Sequence, residues 1–307
     1  MNAVIFLPVG THVVTRVDIP ATETTPALPK GSVGVILAAP ADNLHKYRVA
    51  FPDGNEHSLR RQDLIIRKMQ HEEAMGAAPA GLDYTRLNEY VIYRCLVGSR
   101  AYGLSHAGSD EDRRGVYLPP ASLQWSLWEA PEQLEDSEKD ECYWELRKFI
   151  ILALKANPNI LECLYTPIVE HATDLGDELR GMRSLFLSRL LYQTYNGYAL
   201  GQFKKMEQDL RARGQVKMKH AMHLIRLLLS GIHAMEHGEI PVDAGRHRER
   251  LLAVRHGETP WERIEEWRLE LHRRFEDAYT RTRLPERPDY AAANAFLIRA
   301  RRSMVDK

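Results

Sequence analysis

Two adjacent runs hold the residues best suited to chemistry. Cys95-Leu96-Val97-Gly98-Ser99-Arg100-Ala101-Tyr102-Gly103-Leu104 is followed by Gly108-Ser109-Asp110-Glu111-Asp112-Arg113-Arg114-Gly115-Val116-Tyr117. An apolar strand ending in Gly98-Ser99 presents backbone N–H groups and a hydroxyl at a turn, a geometry able to hold phosphate oxygens. Asp110 and Asp112 stand two apart on an expected strand, so their carboxylates project from one face. Adjacent carboxylates repel unless a cation lies between them, and a hard divalent ion with oxygen ligands meets that need. Alone, either run reads as an ordinary turn or a solvated acidic hairpin end. In this order and spacing the chemical reading is preferred.

A second constellation is Lys217-Met218-Lys219-His220-Ala221-Met222-His223-Leu224-Ile225-Arg226-Leu227. On a helix Lys219, His223 and Arg226 fall at i, i+4 and i+7 on one stripe, an arrangement suited to reading an anion from the wall opposite the acids. The competing reading is a solvated basic face. His220 and His223, or His233 and His237, have helical spacing for zinc, but no cysteine or carboxylate completes a recognisable ligand set. Tyr195, Asn196, Tyr198 and Gln202, with Lys204 and Lys205, suit base or sugar contacts, and the tyrosines suit core packing equally.

The elements that must position these residues follow from pattern. Residues 1–70 alternate short β-branched runs (Val13-Val14-Thr15, Val33 to Leu37, Tyr47 to Phe51) with the turns Pro29-Lys30-Gly31 and Pro52-Asp53-Gly54, which predicts small β structure. This pattern resembles the SH3-like barrels of KOW and Tudor modules, and a structural or partner-docking role is expected for it. Residues 71–84 read as a linker. Residues 85–180 predict a mixed α/β core, with strands at 90–97, about 110–118 and 140–146 and a helix at 147–155 that stops at Asn157-Pro158. Residues 181–307 predict a helical domain whose last helix spans 290–303. The expected class is therefore α+β: an N-terminal SH3-like β-barrel, a central mixed α/β core and a C-terminal helical domain. Trp125 and Trp128 fall in the loop between the second and third core strands.

Gly-Ser, a short glycine-containing segment and Ser-Asp-x-Asp together resemble the signature of the nucleotidyltransferase superfamily that includes DNA polymerase β. The fuller wording, from Gly98 to Leu104, from Ser109 to Tyr117, Leu146-Arg147-Lys148-Phe149 and Asn157 to Leu164, is similar to its bacterial and phage branch, some of whose members are associated with RNA ligases. The run Lys219-His220-x-x-His223-x-x-Arg226-Leu227 belongs to the same resemblance, which covers roughly residues 86–255. It implies a third carboxylate on a neighbouring strand. Asp140 matches best, because strand parity sets it with Cys142 and Trp144, with Glu141 and Glu145 as alternatives. It implies that Asp110, Asp112 and Asp140 hold two Mg²⁺ or Mn²⁺ ions and that Gly98 and Ser99 hold the phosphates of a nucleoside triphosphate such as ATP. It supports Lys219, His223 and Arg226 as readers of the triphosphate or the acceptor without saying which residue touches which group. Arg100 adds a phosphate contact or forms a surface ion pair. The implied reaction is transfer of a nucleoside monophosphate to an acceptor hydroxyl, an RNA end being one candidate, with release of pyrophosphate. Arg113-Arg114-Gly115 departs from the simplest superfamily pattern by setting two cations beside the acids.

Composition bounds these readings. The chain has 307 residues, 42 basic and 42 acidic, so it has no net charge to draw nucleic acid or membrane at long range. Residues 1–70 hold 8 basic and 6 acidic side chains, net +2. Residues 71–180 hold 10 and 20, net −10, and residues 181–307 hold 24 and 16, net +8. An acidic middle beside a basic remainder suits a cation site facing an anion site. Cys95, Cys142 and Cys163 each sit in an apolar run and read as buried thiols in a reducing compartment. The first ten residues lack a leader pattern, no membrane span is expected, and a cytoplasmic protein follows. The alternatives are a non-catalytic nucleotide- or RNA-binding module and an interaction factor acting through the barrel and basic helices.

Overall fold

A computed structural model describes residues 7–22, 25–40, 45–74, 84–106, 108–128, 130–136, 138–213 and 216–305. It is an α+β protein with two five-stranded sheets and, among the described residues, eleven α-helices. The chain divides into two compact units, residues 1–83 and 84–307.

The first unit holds β1 (His12–Thr15), β2 (Val33–Ala38), β3 (Tyr47–Ala50), β4 (Glu56–Leu59), β5 (Leu64–Ile66) and α1 (Arg67–Ala74). Its strands pair antiparallel in the order β4-β3-β2-β1-β5. Val13, Ile36, Tyr47, Val49, Leu59 and Leu64 form its core, since alternate residues of a half-buried strand face inward. No ladder among the described residues joins β4 to β5, so the expected barrel is present as a five-stranded antiparallel sheet. The expected linker at 71–84 falls mostly outside the described residues, and its start is the end of α1.

In the second unit β6 (Val91–Val97) leads into the one-turn helix α2 (Gly98–Ala101). Then come β7 (Asp112–Tyr117), α3 (Ala121–Gln124), β8 (Gln133–Asp136), β9 (Glu141–Glu145), α4 (Leu146–Leu154), α5 (Pro158–Tyr165), β10 (Val169–Ala172) and α6 (Asp174–Gly181). The sheet order is β10-β6-β7-β9-β8, with β7 and β9 parallel and the other pairs antiparallel. Two strands escape the sequence reading. β8 and β10 are four-residue edge strands rich in acidic or exposed side chains, as edges commonly are, and neither carries a clear alternation. The second core strand starts at Asp112 rather than Asp110 and the third at Glu141 rather than Asp140, so both acids sit in the approaches to their strands.

The remaining helices are α7 (Leu190–Arg213), α8 (Met218–His237), α9 (Arg248–Arg255), α10 (Trp261–Arg281) and α11 (Tyr290–Arg302). Asn157 caps α5 by accepting from the N–H groups of Asn159 and Ile160, with Pro158 at the first turn, where its missing N–H costs nothing. Helix α8 is buried along most of its length through Ala221, Leu224, Ile225, Leu228 and Ile232. One continuous apolar cluster joins the sheet, α4, α5, α7, α8, α10 and α11, so strands and helices here share a single core. No described helix is long and apolar enough to cross a membrane. The three cysteines are free and buried.

Candidate active site

The site grows from three strand ends. β6 finishes at Val97, and the chain turns at Gly98, whose φ of +69° suits glycine. A Cβ on Gly98 would lie 1.9 Å from Asp112 Oδ2, so this position needs glycine for its backbone and for the room it leaves a carboxylate. The register Val97↔Asp112 between β6 and β7 produces that approach. Asp140 precedes β9 with φ +53°. Its carbonyl accepts from Arg113 N–H at 3.1 Å, which sets it beside the second residue of β7.

Arg114 lies between the two acids. Its Nη2 donates to Asp140 Oδ1 at 2.9 Å and to Asp112 Oδ1 at 3.3 Å, and its Nη1 donates to Asp140 O at 2.6 Å. Burial, followed by the neighbouring Asp140 carboxylate, raises the Asp112 pKa, while Arg114 and Lys219 act against that rise. A carboxylate crowded by another carboxylate in a partly desolvated place is short of positive charge.

These residues open on one cavity of about 460 Å³. Gly98, Ser99, Asp110, Asp112 and Asp140 line it, as do Lys219 and His223 from α8 and Arg255 from the end of α9. Asp110, Asp112 and Asp140 thus enter from the sheet side with Arg114 beside them, Lys219 and Arg255 enter from helices, and Glu162 of α5 also lines the cavity. Burial, with Arg226 and Lys219 nearby, pushes the His223 pKa down to about 3. His223 is therefore a neutral imidazole at pH 7, and the charge on this wall comes from Lys219 and Arg255.

Two expected anion readers lie elsewhere. Arg100 pairs with Glu111 at 3.2 Å on the surface, the alternative that the sequence left open. Arg226 is buried and donates from Nη1 to Glu162 Oε1 at 2.6 Å. Its guanidinium stands 3.7 Å from the centroid of the Tyr102 ring, and Tyr102 Oη donates to Glu162 Oε2 at 2.6 Å. A residue seven positions along a helix has moved about 10 Å down the axis, and that displacement carries Arg226 past the cavity into the core. Tyr195 is fully buried and Tyr198 Oη accepts from Asn157 Nδ2 at 2.8 Å, so both pack rather than present rings to a base. Glu141 accepts from Tyr143 Oη, and Glu145 caps α4 and accepts from Arg301. Neither lines the cavity. Trp125 is exposed.

Tyr102 and Glu162 fall within the sequence motifs but carry no role in the sequence reading, and Arg255 carries none either. Arg255 Nη1 donates to Leu104 O at 3.0 Å and Arg248 Nε to Gly103 O at 2.7 Å, so α9 anchors the segment joining the Gly98 turn to Asp110. Such partners lie some 150 residues apart, and no local spacing announces them.

Among the described residues no three His, Cys, Asp or Glu side chains already converge as a metal cluster. His220 approaches Asp209 and the rings of His233 and His237 stack, so neither histidine pair is arranged for zinc. The carboxylates of Asp110, Asp112 and Asp140 are nonetheless all hard oxygen donors. Burial and the neighbouring Asp140 still raise the Asp112 pKa against Arg114 and Lys219, and that donor chemistry fits a divalent cation.

The chain is 30% identical over 156 residues to the uncharacterized protein YcgL of Bacillus subtilis, covering 49% of this chain and 58% of that one. It is 24% identical over 166 residues to the uncharacterized protein MJ0002 of Methanocaldococcus jannaschii, covering 52% and 66%. It therefore spans less than two thirds of either relative. Residues 62–299, most of the chain and all of the cavity, match one family as a whole, and the protein belongs to the RNA repair pathway DNA polymerase beta family of nucleotidyltransferases.

Proposed function

We propose that the protein transfers a nucleoside monophosphate from an NTP to an acceptor hydroxyl, an RNA end in keeping with its family, and releases pyrophosphate. The observation that carries this reading is the cavity whose sheet side offers Gly98, Ser99, Asp110, Asp112 and Asp140 and whose helical side offers Lys219 and Arg255. In the reaction the acceptor oxygen forms a bond to the α-phosphorus, the bond to the β-phosphate bridging oxygen breaks, and the hydroxyl proton is lost.

Gly98 and Ser99 hold terminal phosphate oxygens through backbone N–H and hydroxyl donors. Lys219 and Arg255 balance the charge of the phosphate chain. His223, uncharged, donates or accepts one hydrogen bond without adding charge. Asp110, Asp112 and Asp140 would hold Mg²⁺ or Mn²⁺, which when bound neutralises phosphate charge and acidifies the attacking hydroxyl. Arg114 orients Asp112 and Asp140 by bridging them. Glu162 and Arg226 fix Tyr102, and with it the turn after Ser99. The strand order of the first unit supports reading it as an SH3-like docking module, and the three buried free thiols support a reducing, cytoplasmic setting.

One observation favours a second reading. Arg114 already supplies a cation to Asp112 and Asp140, which would suit a binding module without turnover. The two are separated by incubating the protein with each α-labelled NTP and Mg²⁺ or Mn²⁺, with no acceptor, RNA or a protein lysate, beside an Asp110→Ala/Asp112→Ala variant. Label entering the RNA only with intact acids supports transfer. NTP binding without label transfer supports the binding module.

A further inference from the structure

A second cavity of about 400 Å³ lies in the same unit, between the C-terminal half of α8 and residues 241–247. Its volume is in the range of small-molecule sites, roughly 300–1,000 Å³. His233 and His237, one turn apart on α8, stack with ring centroids 4.2 Å apart and planes 23° apart. Arg246 Nε donates to His247 Nε2 at 3.3 Å, and among the described residues Arg246 has no carboxylate partner. Arg274 is held by Glu236 at 2.7 Å, and Asp243 Oδ1 accepts from Gly245 N–H at 2.7 Å. Glu236 is thus engaged by Arg274, Asp243 holds the loop through Gly245, and Arg246 is left without a carboxylate partner among the described residues.

The inner wall points the same way. Arg226 is 7% exposed and Ser230 2% exposed, and both line this cavity. The Arg226 Nε atom has no hydrogen-bond partner among the described residues, whereas Ser230 lies within hydrogen-bonding reach of Tyr195. A buried donor without a partner costs free energy, and an acceptor entering the cavity would relieve it. Burial and the neighbouring Arg246, Arg250 and Arg274 hold His247 below its usual pKa, a sign of positive surroundings. The exposed Arg246 and the unpartnered Arg226 Nε make an anion the fitting guest. An aromatic or sugar-bearing remainder would find the flat face of the His233–His237 pair and the apolar Ile232 and Val242.

We propose that this cavity is a phosphomonoester site, separate from the acidic cleft, in which Arg246 and the His233–His237–His247 cluster, beside the Glu236-bound Arg274, hold a terminal phosphate and the ring attached to it. The same chemistry comes from a free mononucleotide or from the phosphorylated end of an RNA strand. Arg226 links the two cavities, because it lines this one and bonds Glu162, which lines the other. The proposal stands on this cavity's own geometry and does not need the transferase reading.

The test is calorimetric titration of the full chain in EDTA with inorganic phosphate, AMP, and short RNA bearing either a 5′-phosphate or a 5′-hydroxyl. Saturable binding is expected to persist in the Asp110→Ala/Asp112→Ala variant and to weaken about tenfold or more in Arg246→Ala/His247→Ala, as loss of a charge-assisted contact implies. Arg246→Gln alone, at an exposed position, repeats the measurement with little risk to folding. AMP binding as tight as that of phosphorylated RNA assigns the free nucleotide, and preference for the phosphorylated strand over the hydroxyl strand assigns the RNA end. Absence of saturable binding by every probe overturns the proposal. So does binding that survives both arginine variants, or that vanishes with the acid pair. Failure of the transferase reading would appear separately, as label transfer unaffected by the acid pair.

Discussion

The carboxylate of Asp112 occupies the space that any side chain on Gly98 would need, Oδ2 lying 1.9 Å from where a Cβ would stand. Gly98→Ala therefore faces two costs: the left-handed backbone, about 1 kcal/mol, and displacement of Asp112. Gly54 separates them, since it has φ +84° with nothing within 4 Å of its Cβ position. Urea unfolding is expected to show a loss of about 1 kcal/mol for Gly54→Ala with label transfer intact. For Gly98→Ala the loss is expected to be about 1–3 kcal/mol, with transfer reduced about a hundredfold. Equal transfer by the two variants would remove Asp112 from the site.

Glu162 and Arg226 form a buried ion pair at 2.6 Å with Tyr102 attached. Breaking such a pair from one side leaves an uncompensated charge, at a cost of about 3–5 kcal/mol. Arg226→Met and Glu162→Gln are each expected to destabilise on that scale, and the double variant by clearly less than their sum. Additive losses in denaturant titration would mean that the two side chains do not act as a pair.

How much of this was legible in sequence depended on the distance between partners along the chain. Gly98, Ser99, Asp110 and Asp112 lie within a short stretch, their order alone raised the expectation of phosphate and cation binding, and the structure lines one cavity with all four. Asp140 needed strand parity and a family resemblance, because its neighbour Asp112 comes from a parallel strand reached through a crossover. Arg226 was misread. Its stripe on α8 is real, but seven residues of helical rise carry it out of the cavity, and Glu162, 64 positions away, decides its role. β8 and β10 were missed because edge strands of four residues have too few positions to show a period.

Lys219 and Arg255 supply the charge on the helical side of the cleft. Lys219→Ala is expected to weaken NTP binding about tenfold through loss of a phosphate contact, with little change in unfolding free energy. Arg255→Ala is expected to do the same and also to free the Leu104 carbonyl that Arg255 holds at 3.0 Å, so its effect on turnover should exceed that of Lys219→Ala. NTP affinity measured with the non-transferring Asp110→Ala/Asp112→Ala protein as background gives the comparison.

His223 gives a pH signature with a definite sign. Its folded pKa of about 3 lies below the ordinary 6.5, so between those values the unfolded chain binds a proton that the folded chain does not. Its contribution to stability is therefore fully present above about pH 6.5 and declines as pH falls towards 3, by at most about 1.4 kcal/mol per pH unit. His223→Gln is expected to flatten the acid side of the stability profile measured by urea unfolding from pH 7 to 4. An unchanged slope would place His223 in a solvated setting.

Arg114 tests whether a second cation belongs between the acids. It bridges Asp112 and Asp140 through one guanidinium nitrogen, at 3.3 and 2.9 Å, so Arg114→Gln leaves the two carboxylates facing each other with less positive charge. In EDTA this variant is expected to be less stable than the parent by about 1–3 kcal/mol, the scale of a lost charged hydrogen bond. If the acids hold a divalent ion, added Mg²⁺ stabilises the folded chain by mass action, about 2.7 kcal/mol at a hundredfold excess over the dissociation constant. Thermal unfolding with and without Mg²⁺ should then show the parent and Arg114→Gln converging, while Asp112→Asn gains nothing. A guanidinium that had replaced the metal would give the opposite pattern: no Mg²⁺ response in the parent, and one appearing only when Arg114 is removed.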